Sequence, residues 1–94
     1  MNYFDAQYIN SILEERDNRY GEYSEQRYAV GQIVDAMHHV YLLKHEEPAT
    51  MQMLTDWFYL AMKLSRIPAD VTYADNYDDL MGYTQLIKDI HVSE

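Results

Sequence analysis

Apolar residues recur three and four apart along almost the whole chain and nowhere alternate with polar ones, so packed helices are the structures this sequence can bury. Met53, Trp57, Leu60 and Leu64 form one stripe, and Leu54, Phe58, Ala61 and Ser65 form the next. Two adjacent stripes bury a wide face, as a central helix does. With three glycines and two prolines in the sequence, few positions interrupt the pattern. The interruptions divide it into four predicted helices.

The first spans about Asp5 to Asp17, with Asp5 as N-cap and Tyr8, Ile9, Ile12, Leu13 and Arg16 on one stripe. A turn over residues 17–23 follows, where Asn18 and Gly21 tolerate positive φ. The second runs from Ser24, its N-cap, to about Lys44, and buries Val30, Ile33, Val34, Met37, Val40 and Tyr41. Gly31 inside it marks close helix packing, and Asp35 stands one turn from both His38 and His39. The third runs from Pro48 or Ala49 to Arg66, with Pro48 in its first turn and Glu46 and Glu47 at its positive end. The fourth starts between Thr72 and Asp75 and reaches about His91. Its apolar surface comes from Tyr73, Tyr77, Leu80, Met81, Tyr83, Leu86, Ile87 and Ile90. The expected fold is all-α: one domain over residues 1–94, an antiparallel bundle of about four helices. A chain of 94 residues buries a modest core, so a dimer that shares it is expected.

Sixteen acidic residues stand against seven basic ones, a formal net charge of -9. Such a surface repels the nucleic-acid backbone, so direct nucleic-acid binding is not expected, whereas divalent cations, basic protein partners and simple solubility all fit the charge. The absence of cysteine excludes disulfides and thiolate metal sites. No apolar run has the length of a membrane span and no signal peptide is visible, so the expected compartment is the cytoplasm. Ten tyrosines supply contact area together with hydroxyl groups.

Ionisable groups gather most densely where the third predicted helix ends and the fourth begins. Asp56, Tyr59, Lys63 and Arg66 share a polar stripe, and Asp75, Asp78 and Asp79 lie within one turn of each other. A short connection makes these helices antiparallel neighbours and brings the two charged ends together. Two readings follow. In one, Arg66 forks onto Asp79 or Asp75, with Lys63 and Tyr59 completing a polar clasp. In the other, the carboxylates hold Mg²⁺ and Lys63 and Arg66 contact substrate phosphates. Walker-type glycine loops, metalloprotease motifs and a Ser/His/Asp grouping are all missing, so no catalytic residue is assigned.

The run Glu15-Arg16, Arg19-Tyr20-Gly21, Lys63-Leu64-Ser65-Arg66-Ile67 and residues Asp75 to Tyr83 resembles an uncharacterised family of small phage and prophage proteins. The likeness covers roughly residues 13 to 88, and Tyr77 stands where that family usually has tryptophan. The family is in turn distantly similar to the all-α nucleoside triphosphate pyrophosphohydrolases of the MazG type. Those hold Mg²⁺ between a Glu-Glu-x-x-Glu helix and a Glu-x-x-Asp helix. The resemblance implies that Asp75-Asn76-Tyr77-Asp78 stands in for the second motif. The first motif has no clean match, Glu22 and Glu25 being the best-placed acids, and Phe58 fills a position expected to be acidic. Asp75, Asp78, Asp79, Glu22 and Glu25 are therefore the candidate metal ligands. Lys63, Arg66, Arg19, Tyr20 and Tyr77 are the candidate substrate- or partner-binding residues. Two functions are carried forward. One is an acidic phage-type protein that binds a basic or nucleic-acid-binding host protein in the host cytoplasm, as a counter-defence inhibitor would. The alternative is a Mg²⁺-dependent nucleotide pyrophosphohydrolase or a nucleotide-binding relative without turnover.

Overall fold

The structure, a computed structural model, describes Glu14, Glu15 and residues 23–92. Among these residues it is all-helical: α1 (Tyr23–His45), α2 (Met51–Arg66) and α3 (Ala74–Val92). Glu14 and Glu15 are helical as well. The rest of the first predicted helix and the turn after it, except Tyr23, lie outside the described residues.

α2 lies between the other two helices and packs on both. Its two apolar stripes are the reason. Ala61, at the centre of the broad face, is 1% exposed, and Val30 of α1 is also buried. Gln26 of α1 reaches Ser65 near the far end of α2, its amide donating to Oγ at 3.4 Å. Tyr41, further along α1, meets Trp57, earlier in α2, at 5.9 Å between ring centroids. The pair is therefore antiparallel, as its short connection requires.

The ends of the helices differ from the sequence reading at two places. α2 begins at Met51, not at Pro48, because Thr50 is the N-cap and its hydroxyl accepts from the Met53 N–H at 3.2 Å. Glu46 consequently belongs to the C-terminus of α1. It adopts φ 59°, and its N–H still donates to the Leu42 carbonyl at 2.9 Å. This is the left-handed residue that closes a helix, a position that glycine fills without a Cβ penalty. A carboxylate there also faces the negative end of the helix dipole. Glu46→Gly is expected to stabilise the fold by about 1 kcal/mol, read as a higher urea midpoint, whereas Glu46→Ala gives no comparable gain.

His38 does not serve as an Asp35 partner. Its Nε2 accepts from the Ala49 N–H at 3.2 Å and ties the α1–α2 connection to α1. Gly31 is likewise not a close-packing point: it is exposed, and a Cβ added there meets nothing within 4 Å. Gly31→Ala is therefore expected to stabilise the protein by roughly 0.5–1 kcal/mol, since only the helix-propensity gain operates. Thermal unfolding followed by circular dichroism measures it, and a loss of stability would mean that α1 meets a neighbour at that point.

Candidate functional site

The polar stripe of α2 is the face that meets α3. Four successive positions along it engage α3 in antiparallel register. Asp56 Oδ2 lies 2.9 Å from His91 Nε2. The Tyr59 ring stacks on Tyr83, with centroids 5.7 Å apart and planes 4° from parallel. Lys63 Nζ reaches Asp79 Oδ2 at 3.4 Å and sits 5.2 Å from the centroid of Tyr83. The Arg66 carbonyl accepts from Asn76 Nδ2 at 3.3 Å. The α2–α3 contact is thus a seam of paired polar and aromatic groups, with Leu80 and Ile87 half-buried on the same side of α3.

The expected juxtaposition of the two charged ends is present, but the pairing differs. Asp79 receives Lys63 rather than Arg66, and Asp75 accepts from the Tyr73 hydroxyl at 3.0 Å. Register explains the exchange. Arg66 is the last residue of α2 and stands level with Asn76, while Lys63, one turn earlier, stands level with Asp79. Lys63 is largely buried and Asp79 half-exposed, so the ion pair itself contributes up to about 1 kcal/mol. The Tyr59–Tyr83 stack contributes a similar amount.

Asn76 is 3% exposed and is the pivot of the site. The Nδ2 group that caps Arg66 also donates to the Asp70 carbonyl at 3.3 Å. It gathers the end of α2 and the connection onto the first turn of α3. Three successive turns, Asp70 N–H to Ile67, Tyr73 N–H to Asp70 and Asn76 N–H to Tyr73, carry the backbone between the helices. The Tyr77 hydroxyl then donates to the Val71 carbonyl at 2.7 Å, which places this candidate binding residue against the connection.

Among the described residues the candidate metal ligands do not converge. Asp78 lies exposed on α3, Asp75 and Asp79 are engaged as above, and Glu25 lines a groove between α1 and the end of α2. Among the described residues no three His, Cys, Asp or Glu side chains gather where a metal ion could sit. Glu22, Arg19 and Tyr20 lie outside the described residues. What the site offers instead is a row of carboxylates. Asp75, Asp78 and Asp89 follow one exposed stripe of α3 with Gly82 and Gln85 between them, and no Lys or Arg stands on it. A groove lined by Asp78, Asp79, Gly82, Tyr83 and Leu86 runs beside the stacked tyrosines.

Sequence reasoning missed Asn76, the tyrosine stack and the Asp56–His91 contact. The available signal was the matched spacing of Arg66, Lys63 and Tyr59 on one helix and of Asn76, Asp79 and Tyr83 on the next, three and then four residues apart. Laid antiparallel, these three positions coincide; His91, eight residues beyond Tyr83, does not follow from the spacing. The chain matches no family model, no curated protein and no solved structure. Among the described residues no helix is long and apolar enough to cross a membrane.

Proposed function

We propose that this chain is a small acidic binding protein that engages the basic face of another protein, with the carboxylate row of α3 as its principal contact. The exposed stripe Asp75–Asp78–Asp89, free of cations, carries this reading. The Lys63–Asp79 pair supports it, because it neutralises a cation of α2 that faces α3, and Lys88, beside Asp89 but off the stripe, leaves the row net acidic. A net charge of -9 steers such a surface toward arginine- and lysine-rich partners. Nucleic-acid-binding proteins are the natural class, since carboxylates on a helix occupy the place of phosphates. The phage-family likeness gives the setting of a host cytoplasm and a counter-defence role.

Titration of a labelled arginine-rich peptide, followed by fluorescence anisotropy, tests the reading. Binding is expected to weaken with salt. Replacing Asp75, Asp78 and Asp89 together by asparagine should cost about 10-fold in affinity. The matched variant Glu14→Gln/Glu15→Gln/Glu47→Gln removes the same charge elsewhere and should cost much less. Equal losses in the two variants would reduce the row to bulk electrostatics. Release of pyrophosphate from deoxynucleoside triphosphates with Mg²⁺, abolished by Asp79→Ala, would replace the binding reading with the nucleotide-hydrolase one.

A further inference from the structure

α1 carries a second apolar stripe, distinct from the one it packs on α2. Ala29, Ile33, Ala36, Val40 and Leu43 recur at intervals of four, three, four and three. That is the spacing of a seam between two helices wound on one another. At the C-terminal half of the stripe Val40 is 67% and Leu43 70% exposed. At the N-terminal half, Ala29 and Ile33 line a groove whose opposite wall is Leu64, Ile67 and Pro68. One face of the chain therefore holds both a pair of protruding apolar side chains and an apolar groove.

We propose that a second copy of this chain covers the stripe, antiparallel, with a two-fold axis beside Ala36. Three observations select this occupant. First, the side-chain sizes match in that orientation alone. Leu43 of one copy meets Ala29 of the other, Val40 meets Ile33, and the two Ala36 residues allow close approach at the axis. A parallel pair sets Leu43 on Leu43 and Ala29 on Ala29, crowded at one end and empty at the other. Secondly, the two-fold seats each protruding pair in the other copy's groove, so one operation satisfies both halves. Thirdly, two chains of net charge -9 repel except where they meet on an uncharged face. From Ala29 to Leu43 the stripe itself carries no charged side chain, its rim is Gln32 and His39, and Asp35 lies on another side of the helix; the groove carries one acid, Glu25, four residues before Ala29. The seam leaves the acidic row of α3 outside the contact, so a dimer would present that row twice.

The whole chain, run at about 100 µM in analytical ultracentrifugation, is expected to sediment at twice the monomer mass. Val40→Glu/Leu43→Glu should weaken the dimer by about 100-fold or more while keeping the helical circular dichroism of the parent. Because the chain has no cysteine, single-cysteine variants report orientation directly. Ala36→Cys should cross-link to itself on oxidation. Leu43→Cys should not, but should cross-link to Ala29→Cys when the two are mixed. A monomeric parent, a dimer indifferent to the glutamates, or self-cross-linking by Leu43→Cys and not by Ala36→Cys would each overturn the proposal. The cysteine variants are small substitutions on an exposed face and do not depend on the glutamate variant folding.

Discussion

Asn76→Asp is expected to destabilise the protein by about 3 kcal/mol near neutral pH, the largest effect of any single substitution considered. The change exchanges one nitrogen for one oxygen, so it adds no bulk and opens no cavity. What it reverses is the sign of two contacts. Nδ2 of Asn76 donates to the Arg66 and Asp70 carbonyls, and a carboxylate oxygen in the same place points a negative charge at both. The position is 3% exposed, so water cannot screen the repulsion. Asn76→Ala removes the donor without adding charge and should cost less, about 1–2 kcal/mol. A pH series separates the two causes. A buried carboxylate facing carbonyls has its folded-state pKa raised above the unfolded value. Its penalty is therefore absent below the unfolded pKa and complete once pH exceeds the folded one. The aspartate variant should approach the alanine variant as pH falls to about 4, and diverge from it as pH rises to 7. Urea unfolding of parent and variants at each pH measures this. A pH-independent gap between the two variants would mean that the side chain at 76 escapes to solvent, and that the connection is not fixed by it.

The role of Asn76 also shows where reading the sequence stops. Asparagine inside a predicted helix looks like an unremarkable first-turn residue, and its local chemistry favours caps and turns. Its partners are carbonyls ten and six residues upstream, contributed by the end of α2 and by the connection. No periodicity marks a backbone acceptor. The helices themselves were legible because their spacing is a local property: α3 begins and ends, and α1 ends, within a residue or so of expectation, whereas Ser24, expected as the N-cap of α1, lies inside it. The start of α2 was misplaced because Pro48 and Thr50 are both valid openings, and the deciding hydrogen bond, from Met53 N–H to the Thr50 hydroxyl, is a matter of geometry. The charged cluster was legible as a neighbourhood, since a short connection forces the ends of α2 and α3 together. Which cation meets which carboxylate was not, because that depends on the axial register of two helices, and a shift of one turn exchanges Lys63 for Arg66. The polar stripe of α2 was legible as a clasp at its C-terminal end, but not as a seam on which α3 packs back to Asp56. Tyr59 and Lys63 have long apolar bodies below their polar tips, and such side chains cover a neighbour as well as face water.

Ala61→Leu is expected to cost about 2–3 kcal/mol, although leucine is a good helix former and the position lies mid-helix on the apolar face. On pattern alone the change looks harmless or favourable, since it extends the stripe made by Leu54 and Phe58. The structure reverses that expectation. Ala61 is 1% exposed, the most enclosed apolar residue described, and it lies on the broad apolar face of α2, one turn from Ser65, which meets Gln26 of α1. At an enclosed position added methylenes press on their neighbours, so the helices must separate or the side chain must leave its preferred rotamer. Separation at Ala61 also stretches the Gln26–Ser65 hydrogen bond one turn away, already long at 3.4 Å, and would leave the buried Gln26 amide less well satisfied. A fall of roughly 10 °C or more in the thermal midpoint follows from this magnitude in a domain of this size. Ala36→Leu provides the internal comparison. It is the same substitution on an α-helix, at an exposed position with no α2 neighbour to displace, and it should leave the unfolding of the dilute monomer within about 0.5 kcal/mol of the parent. If Ala61→Leu were as mild as Ala36→Leu, the α1–α2 contact would be loose enough to absorb a leucine, and the close approach at Ala61 would not be what holds the pair together.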